Sequence, residues 1–344
     1  MYYGWTMPFK VNRPLTQMES DQALPKDGLP LARPEQRAGL ICMNSTYIDW
    51  IDRRFPYRGT MNTFLASVCM LILIPFCAYA NLVVYQDRFR VQHWWVLMLM
   101  GLPIYVMFWY IIKIAIRGEY FSYTYWPIRF NRKTRMVHVF RHNGAGGTLS
   151  VPWDQVYFYI GEGKQRSDNV YIGGHILDGD VVKDTFALGL DAPKNNVLPL
   201  FEMWEFIRCY MDEGPEAAGP HPLDRYIGLS VTPSLYNCQM MMDIYYLGEL
   251  PRIARILAYP FVLLYTLTRW FVLRTCRKPV FPPEVEATCQ VEPDDPHVWP
   301  VARRCFEFAD SVPGLWEYTM EKQRARQEKL RPFGKDPCRN HQDR

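Results

Sequence analysis

Between Met61 and Ile112 the chain carries two long uncharged runs joined by the short connection QDRFRVQH. The first, Met61–Tyr85, holds 25 residues and the second, Trp94–Ile112, holds 19. As helices rising about 1.5 Å per residue they reach roughly 37 Å and 28 Å, against a hydrocarbon core of about 30 Å. Neither run shows the polar stripe, recurring every three or four residues, that a soluble core helix carries. The sequence therefore predicts a transmembrane helical hairpin over 61–112.

Basic residues set the expected topology, because Lys and Arg near membrane ends collect on the cytoplasmic side. Arg53, Arg54 and Arg58 precede the first run, and Lys113, Arg117, Arg129 and Arg132 follow the second. The connection holds only Arg88 and Arg90. That asymmetry predicts a multi-pass membrane protein with both termini cytoplasmic. No apolar h-region opens the chain, so no cleavable signal peptide is expected.

Outside the hairpin the chain has the composition of a soluble body. Its mean hydropathy is −0.18, 22% of residues are charged, and the net charge is +4 from 39 basic and 35 acidic residues. So mild and mixed a balance argues against a nucleic-acid partner. The nine cysteines form no CxxC pair and are scattered, which fits reduced thiols better than a zinc site or disulfide framework.

From Tyr120 the pattern becomes short and β-rich. Strands are expected at Tyr120–Tyr125, Ile128–Phe130, Met136–Arg141, Thr148–Pro152, Val156–Ile160, Val170–Leu177 and Val181–Leu188. Asp178-Gly179-Asp180 supplies a hairpin turn between the last two, since Asp-Gly tolerates positive φ. Asn196–Met211 then reads as a helix with Val197, Phe201, Trp204, Ile207 and Met211 on one face. This order matches a pleckstrin-homology-like (PH-like) small β-barrel or sheet domain closed by a helix. The Pro/Gly-rich stretch Glu213–Pro222 marks a boundary.

Ile256–Thr268 is a third apolar stretch, but its 13 uncharged residues fall short of a span. At 100° per residue, Arg252, Arg255, Arg269 and Arg277 gather on one side, opposite Leu257, Phe261, Leu264 and Phe271. The reading is an interfacial helix over 252–275 with its arginines at anionic headgroups. A third span and a buried groove helix are the alternatives. The expected architecture is an α+β membrane protein: a cytoplasmic segment 1–60, the transmembrane two-helix hairpin 61–112, a PH-like β domain 118–213, a helical region 223–330 and a flexible tail 331–344.

Catalytic patterns fail on inspection. Gly161-Glu162-Gly163-Lys164 lacks the spacing of a P-loop, Gly228-Leu229-Ser230-Val231-Thr232 misses a nucleophile elbow at its last residue, and no two histidines stand at zinc-binding spacing. No catalytic, cofactor-binding or metal residue is assigned, and an enzyme is not the favoured reading. Candidate binding residues are Arg129, Arg132, Lys133 and Arg135 beside the membrane, with Lys164 and Arg166 in a β-domain loop. The membrane-interface set is Arg252, Arg255, Arg269 and Arg277.

Three segments carry a family resemblance: Phe55-Pro56-Tyr57-Arg58-Gly59, Trp126-Pro127-Ile128-Arg129-Phe130-Asn131-Arg132 and Val151-Pro152-Trp153-Asp154. They resemble an uncharacterised family of proteobacterial two-span membrane proteins often encoded beside type VI secretion effectors. The resemblance implies an immunity or accessory protein of toxin delivery in the bacterial inner membrane, bound to membrane lipid and to a secreted toxin or secretion component, with a homo-oligomer allowed. A membrane-bound hydrolase at the lipid surface and an oligomeric pore or transport component are the rival functions.

Overall fold

The structure, a computed structural model, describes residues 9–28, 32–60, 119–162, 169–247, 250–307 and 313–330, with scattered positions between 61 and 117. Two compact units emerge, each assembled from separate stretches of chain. Unit 1 comprises Met1–Pro56, Tyr125–Thr232 and Pro279–Arg344, and unit 2 comprises Tyr57–Thr124 and Pro233–Lys278.

Unit 1 holds two antiparallel sheets. Its strands are β1 (Arg13–Pro14), β2 (Leu40–Met43), β3 (Tyr47–Trp50), β4 (Ile128–Asn131), β5 (Met136–Phe140), β6 (Thr148–Pro152), β7 (Val156–Glu162), β8 (Asn169–Asp178) and β9 (Val181–Pro193). One sheet runs β2-β3-β4-β5-β6 and the other β1-β9-β8-β7. Asp178-Gly179-Asp180 turns β8 into β9, with Gly179 at φ +59, as an Asp-Gly hairpin requires.

The decisive pairing is β3 with β4, in which Ile48 faces Phe130 and Trp50 faces Ile128. The strands are nearly eighty residues apart in sequence, with both apolar runs between them. The α-helices α1 (Gln17–Asp21) and α2 (Leu198–Asp212) complete the framework. The core gathers around Trp153, stacked on Trp204 of α2 at 5.6 Å between ring centroids, with Phe158 at 4.7 Å from Trp204. Trp204 Nε1 donates to the Pro25 carbonyl at 2.9 Å, so the indole's polar edge is satisfied inside the core. Burial runs nearly all round α2, including Leu200, Met203, Phe206 and Tyr210, rather than along the single face that its periodicity predicts.

Unit 2 is helical among its described residues. It contains α3 (Leu235–Met242), which continues as a π-helical turn over Asp243–Leu247, and α4 (Arg252–Thr275). Gly59, at φ +68, lets the chain approach α4 closely: a Cβ there would lie 2.4 Å from the Arg269 Cα.

These findings correct the fold class expected from sequence. The fold is α+β with two antiparallel sheets, and its strands begin before the apolar runs, so a single PH-like barrel following a hairpin is not what forms. Among the described residues no two-helix hairpin precedes the sheets, and the stretch 61–112 falls largely outside them. Among the described residues, the helix long and apolar enough to cross a membrane is α4, which has 24 residues. The physical reason for the difference lies in Leu40–Met43 and Tyr47–Trp50. These segments are apolar enough to enter a sheet, but the partner they need lies on the far side of the apolar runs.

Candidate functional site

The structure takes the predicted basic residues in three directions. Arg129 sits within β4 and is buried, donating from Nε and Nη2 to the Asp49 carboxylate at 2.7 and 2.9 Å. A third bond runs from Nη1 to Glu286 at 3.1 Å, and the rings of Tyr47 and Phe281 lie 4.0 and 4.4 Å from the guanidinium. Planar, bidentate and stacked, this is an internal pin joining β3 to β4 and not a surface awaiting an anion.

Arg135 is partly exposed and bridges Asp212 at 2.7 Å and Asp154 at 3.0 Å. Lys133 pairs with Glu292 on the surface. The Arg132 backbone N–H donates to the Thr46 carbonyl at 2.9 Å. Lys164 and Arg166 lie outside the described residues. Arg129 thus turns inward, while the Arg132 and Arg135 guanidiniums both lie by the C-terminal end of α2, at Gly214 and Asp212.

Arginines before the first apolar run also have structural partners. Arg53 makes a bidentate pair with Asp191 at 2.7 and 2.9 Å, and its guanidinium stacks on Tyr171 at 3.8 Å. Its place is fixed inside unit 1, whatever its contribution to topology.

A second polar cluster in unit 1 is equally internal. Thr16 and Glu19 form a capping box at the start of α1, which delivers Glu19 to Arg13 at 2.7 Å and to His175 Nε2 at 3.2 Å. His175 Nδ1 lies 2.9 Å from Thr185 Oγ1. Burial by itself raises the Glu19 pKa, but bonds from Arg13, Thr16 and His175 outweigh it and hold the carboxyl at about 2. Burial lowers the His175 pKa against the pull of Glu19, which favours the neutral ring. The order Thr–His–Glu resembles a relay, yet Thr185, His175 and Glu19 are all buried. The cluster fastens the N-terminal arm: Leu24 N donates to the Phe158 carbonyl at 2.9 Å, and β1 pairs with β9. Among the described residues no group of His, Cys, Asp and Glu has the arrangement of a metal site.

The surface that stands out belongs to α4. Ile253, Leu257, Phe261 and Phe271 are 76, 71, 60 and 57% exposed, and Ile256, Leu263, Leu264 and Leu267 lie on the same arc. The opposite arc is buried and holds Val262, Tyr265, Thr266, Arg269, Val272 and Leu273. Arg269 was placed at the headgroups by sequence spacing. In the structure it is 1% exposed, and its Nη1 donates to the Arg58 carbonyl at 2.8 Å. Arg252, Arg255 and Arg277 are exposed near the two helix ends. Between Arg255 and Arg274 the chain carries no other charge than Arg269. With that one turned inward, the stretch between them exposes no charge over about 28 Å at roughly 1.5 Å per residue.

Each large apolar side chain left in water forgoes roughly 1.5–3 kcal/mol of burial. A contiguous stripe of eight therefore marks a contact surface rather than ordinary scatter. Sequence spacing identified several members of the stripe but not its length, because Arg269 appeared to interrupt it.

The comparisons with known proteins place the chain. Residues 104–293 match the Family of unknown function (DUF6708). The chain belongs to this family. The family match spans β4–β9, α2, α3 and α4, and so covers Arg129, though not its partner Asp49, and the apolar stripe. No curated protein and no solved structure matches the chain.

Proposed function

We propose that this family member is a membrane-held binding protein of the bacterial inner membrane, acting as an immunity or accessory protein in type VI toxin delivery. The observation that carries the membrane part is the stripe on α4: seven exposed apolar side chains between Arg255 and Arg274, with no exposed charge among them. Hydrocarbon solvates such a face, and the flanking arginines suit headgroups. The secretion context rests on the resemblance carried by Phe55–Gly59, Trp126–Arg132 and Val151–Asp154. In this reading unit 2 anchors the chain, and unit 1 offers the surface that meets a toxin or secretion component.

Two measurements test the proposal. The protein is expected to stay in the membrane pellet after an alkaline carbonate wash, and its appearance in the supernatant contradicts the anchor. A gene-deletion strain challenged by wild-type siblings is expected to lose survival. Unchanged survival, with no neighbouring toxin co-purifying, contradicts the immunity role.

A further inference from the structure

The stretch Pro233–Lys278 leaves unit 1 after Thr232 and rejoins it at Pro279, so both of its ends are covalently tied to one compact body. Any bilayer that this stretch enters must therefore be left on the side from which it was entered. Its two helical limbs are joined by a connection of a few residues, and short connections make helical neighbours antiparallel. The limbs pack on one another: Thr266 Oγ1 of α4 lies 2.9 Å from Gln239 Oε1 of α3, and the Tyr246 and Tyr265 rings are 5.6 Å apart.

We infer that Pro233–Lys278 is a lipid-crossing hairpin. Its tip, Leu250–Arg255, reaches the bilayer face opposite the one at which Arg274, Arg277 and Lys278 sit. This inference rests on the membrane reading above and adds a direction to it.

Three observations favour crossing over a helix lying in the surface. The exposed charges of α4 are confined to its ends, about 28 Å apart, close to the thickness of a hydrocarbon core of roughly 30 Å. A surface helix has no need of that match and carries polar side chains along its length. Next, the polar side chains between the ends bond within the unit, as a lipid environment demands. Gln239 Nε2 donates to Asp243 Oδ1 at 2.7 Å, Thr268 Oγ1 to the Gly59 carbonyl at 2.7 Å, and Arg269 Nη1 to the Arg58 carbonyl. Finally, the outbound limb turns its own apolar residues Leu235, Tyr236 and Ile244 outward, and its half-buried Asp243 is bonded by Gln239.

The test places single cysteines at the two ends, Arg252→Cys and Lys278→Cys, in the full-length chain. A membrane-impermeant maleimide is applied to intact spheroplasts and, separately, to inverted vesicles, with the parent chain as background. At least a tenfold preference for opposite preparations is expected at the two positions. Labelling of both from the same side overturns the hairpin, and so does labelling of position 252 only after the membrane is solubilised. A carbonate wash of the same samples separates the two ideas. Retention in the pellet with same-side labelling rejects the crossing alone, whereas release rejects the membrane reading beneath it.

Discussion

Units 1 and 2 both bury arginine, but they differ in the surface that each presents. In unit 1 the buried guanidiniums meet carboxylates: Arg129 meets Asp49 and Arg53 meets Asp191. In unit 2 Arg269 is equally buried and donates to the Arg58 backbone carbonyl, while Arg58 meets both the carbonyl and the carboxylate of Glu119. The surfaces are reversed. Unit 1 hides Trp50, Trp153 and Trp204, while unit 2 displays Ile253, Leu257, Phe261 and Phe271. An apolar outer arc of that kind is what the proposed lipid contact requires.

The contrast can be broken first at its strongest pin. Arg129→Ala leaves Asp49 charged, buried and without its bidentate partner, at an expected cost of about 3–5 kcal/mol. Denaturant unfolding of unit 1 should show the loss, and a change below about 1 kcal/mol would remove Arg129 as its fastener. The matching break in unit 2 is Leu264→Asp, near the middle of the stripe. A carboxylate at that depth costs about 2.5–3.5 kcal/mol of insertion. The protein should move toward the carbonate-soluble fraction while the unit 1 unfolding transition stays in place.

Acid separates the units further. Burial, and then Arg129 nearby, lowers the His138 pKa to about 4, so folded unit 1 keeps the ring neutral. The unfolded chain takes up the proton near pH 6.5, so stability is full above that value and falls as pH drops toward 4, by roughly 3 kcal/mol. His138→Gln should flatten the pH dependence of unfolding between pH 6.5 and 4, and an unaltered slope would show that another group titrates there. A smaller effect is expected from Gly59→Ala, where the positive φ and the approach to Arg269 together cost about 1–3 kcal/mol, read as proteolytic sensitivity of unit 2. Lys133→Ala removes an exposed pair with Glu292 and should change stability by less than about 1 kcal/mol.

Strands β4–β9 were legible in the sequence because alternation and turn chemistry are local. Met136–Phe140 and the Asp178-Gly179-Asp180 hairpin formed where expected, and so did the helix after Asn196. Leu40–Met43 and Tyr47–Trp50 were not legible, since four residues carry little periodicity and their sheet partner is remote. The expected strand at Tyr120–Tyr125 did not form; Tyr123 contributes only an isolated bridge to Arg277. The ion pairs were not legible either: Arg53 and Arg129 read as membrane-flanking cations, and their partners Asp191 and Asp49 lie far along the chain. Arg269 concealed the length of the α4 stripe because spacing alone does not reveal which arc the rest of a unit covers.

The central claim is that the exposed arc of α4 touches lipid hydrocarbon. It is tested most directly by a photoreactive benzophenone amino acid introduced in place of Phe261 and irradiated in native membranes. Mass spectrometry is expected to find phospholipid acyl chains attached at position 261. Adducts confined to protein, or to water-quenched products with no lipid, would contradict the account.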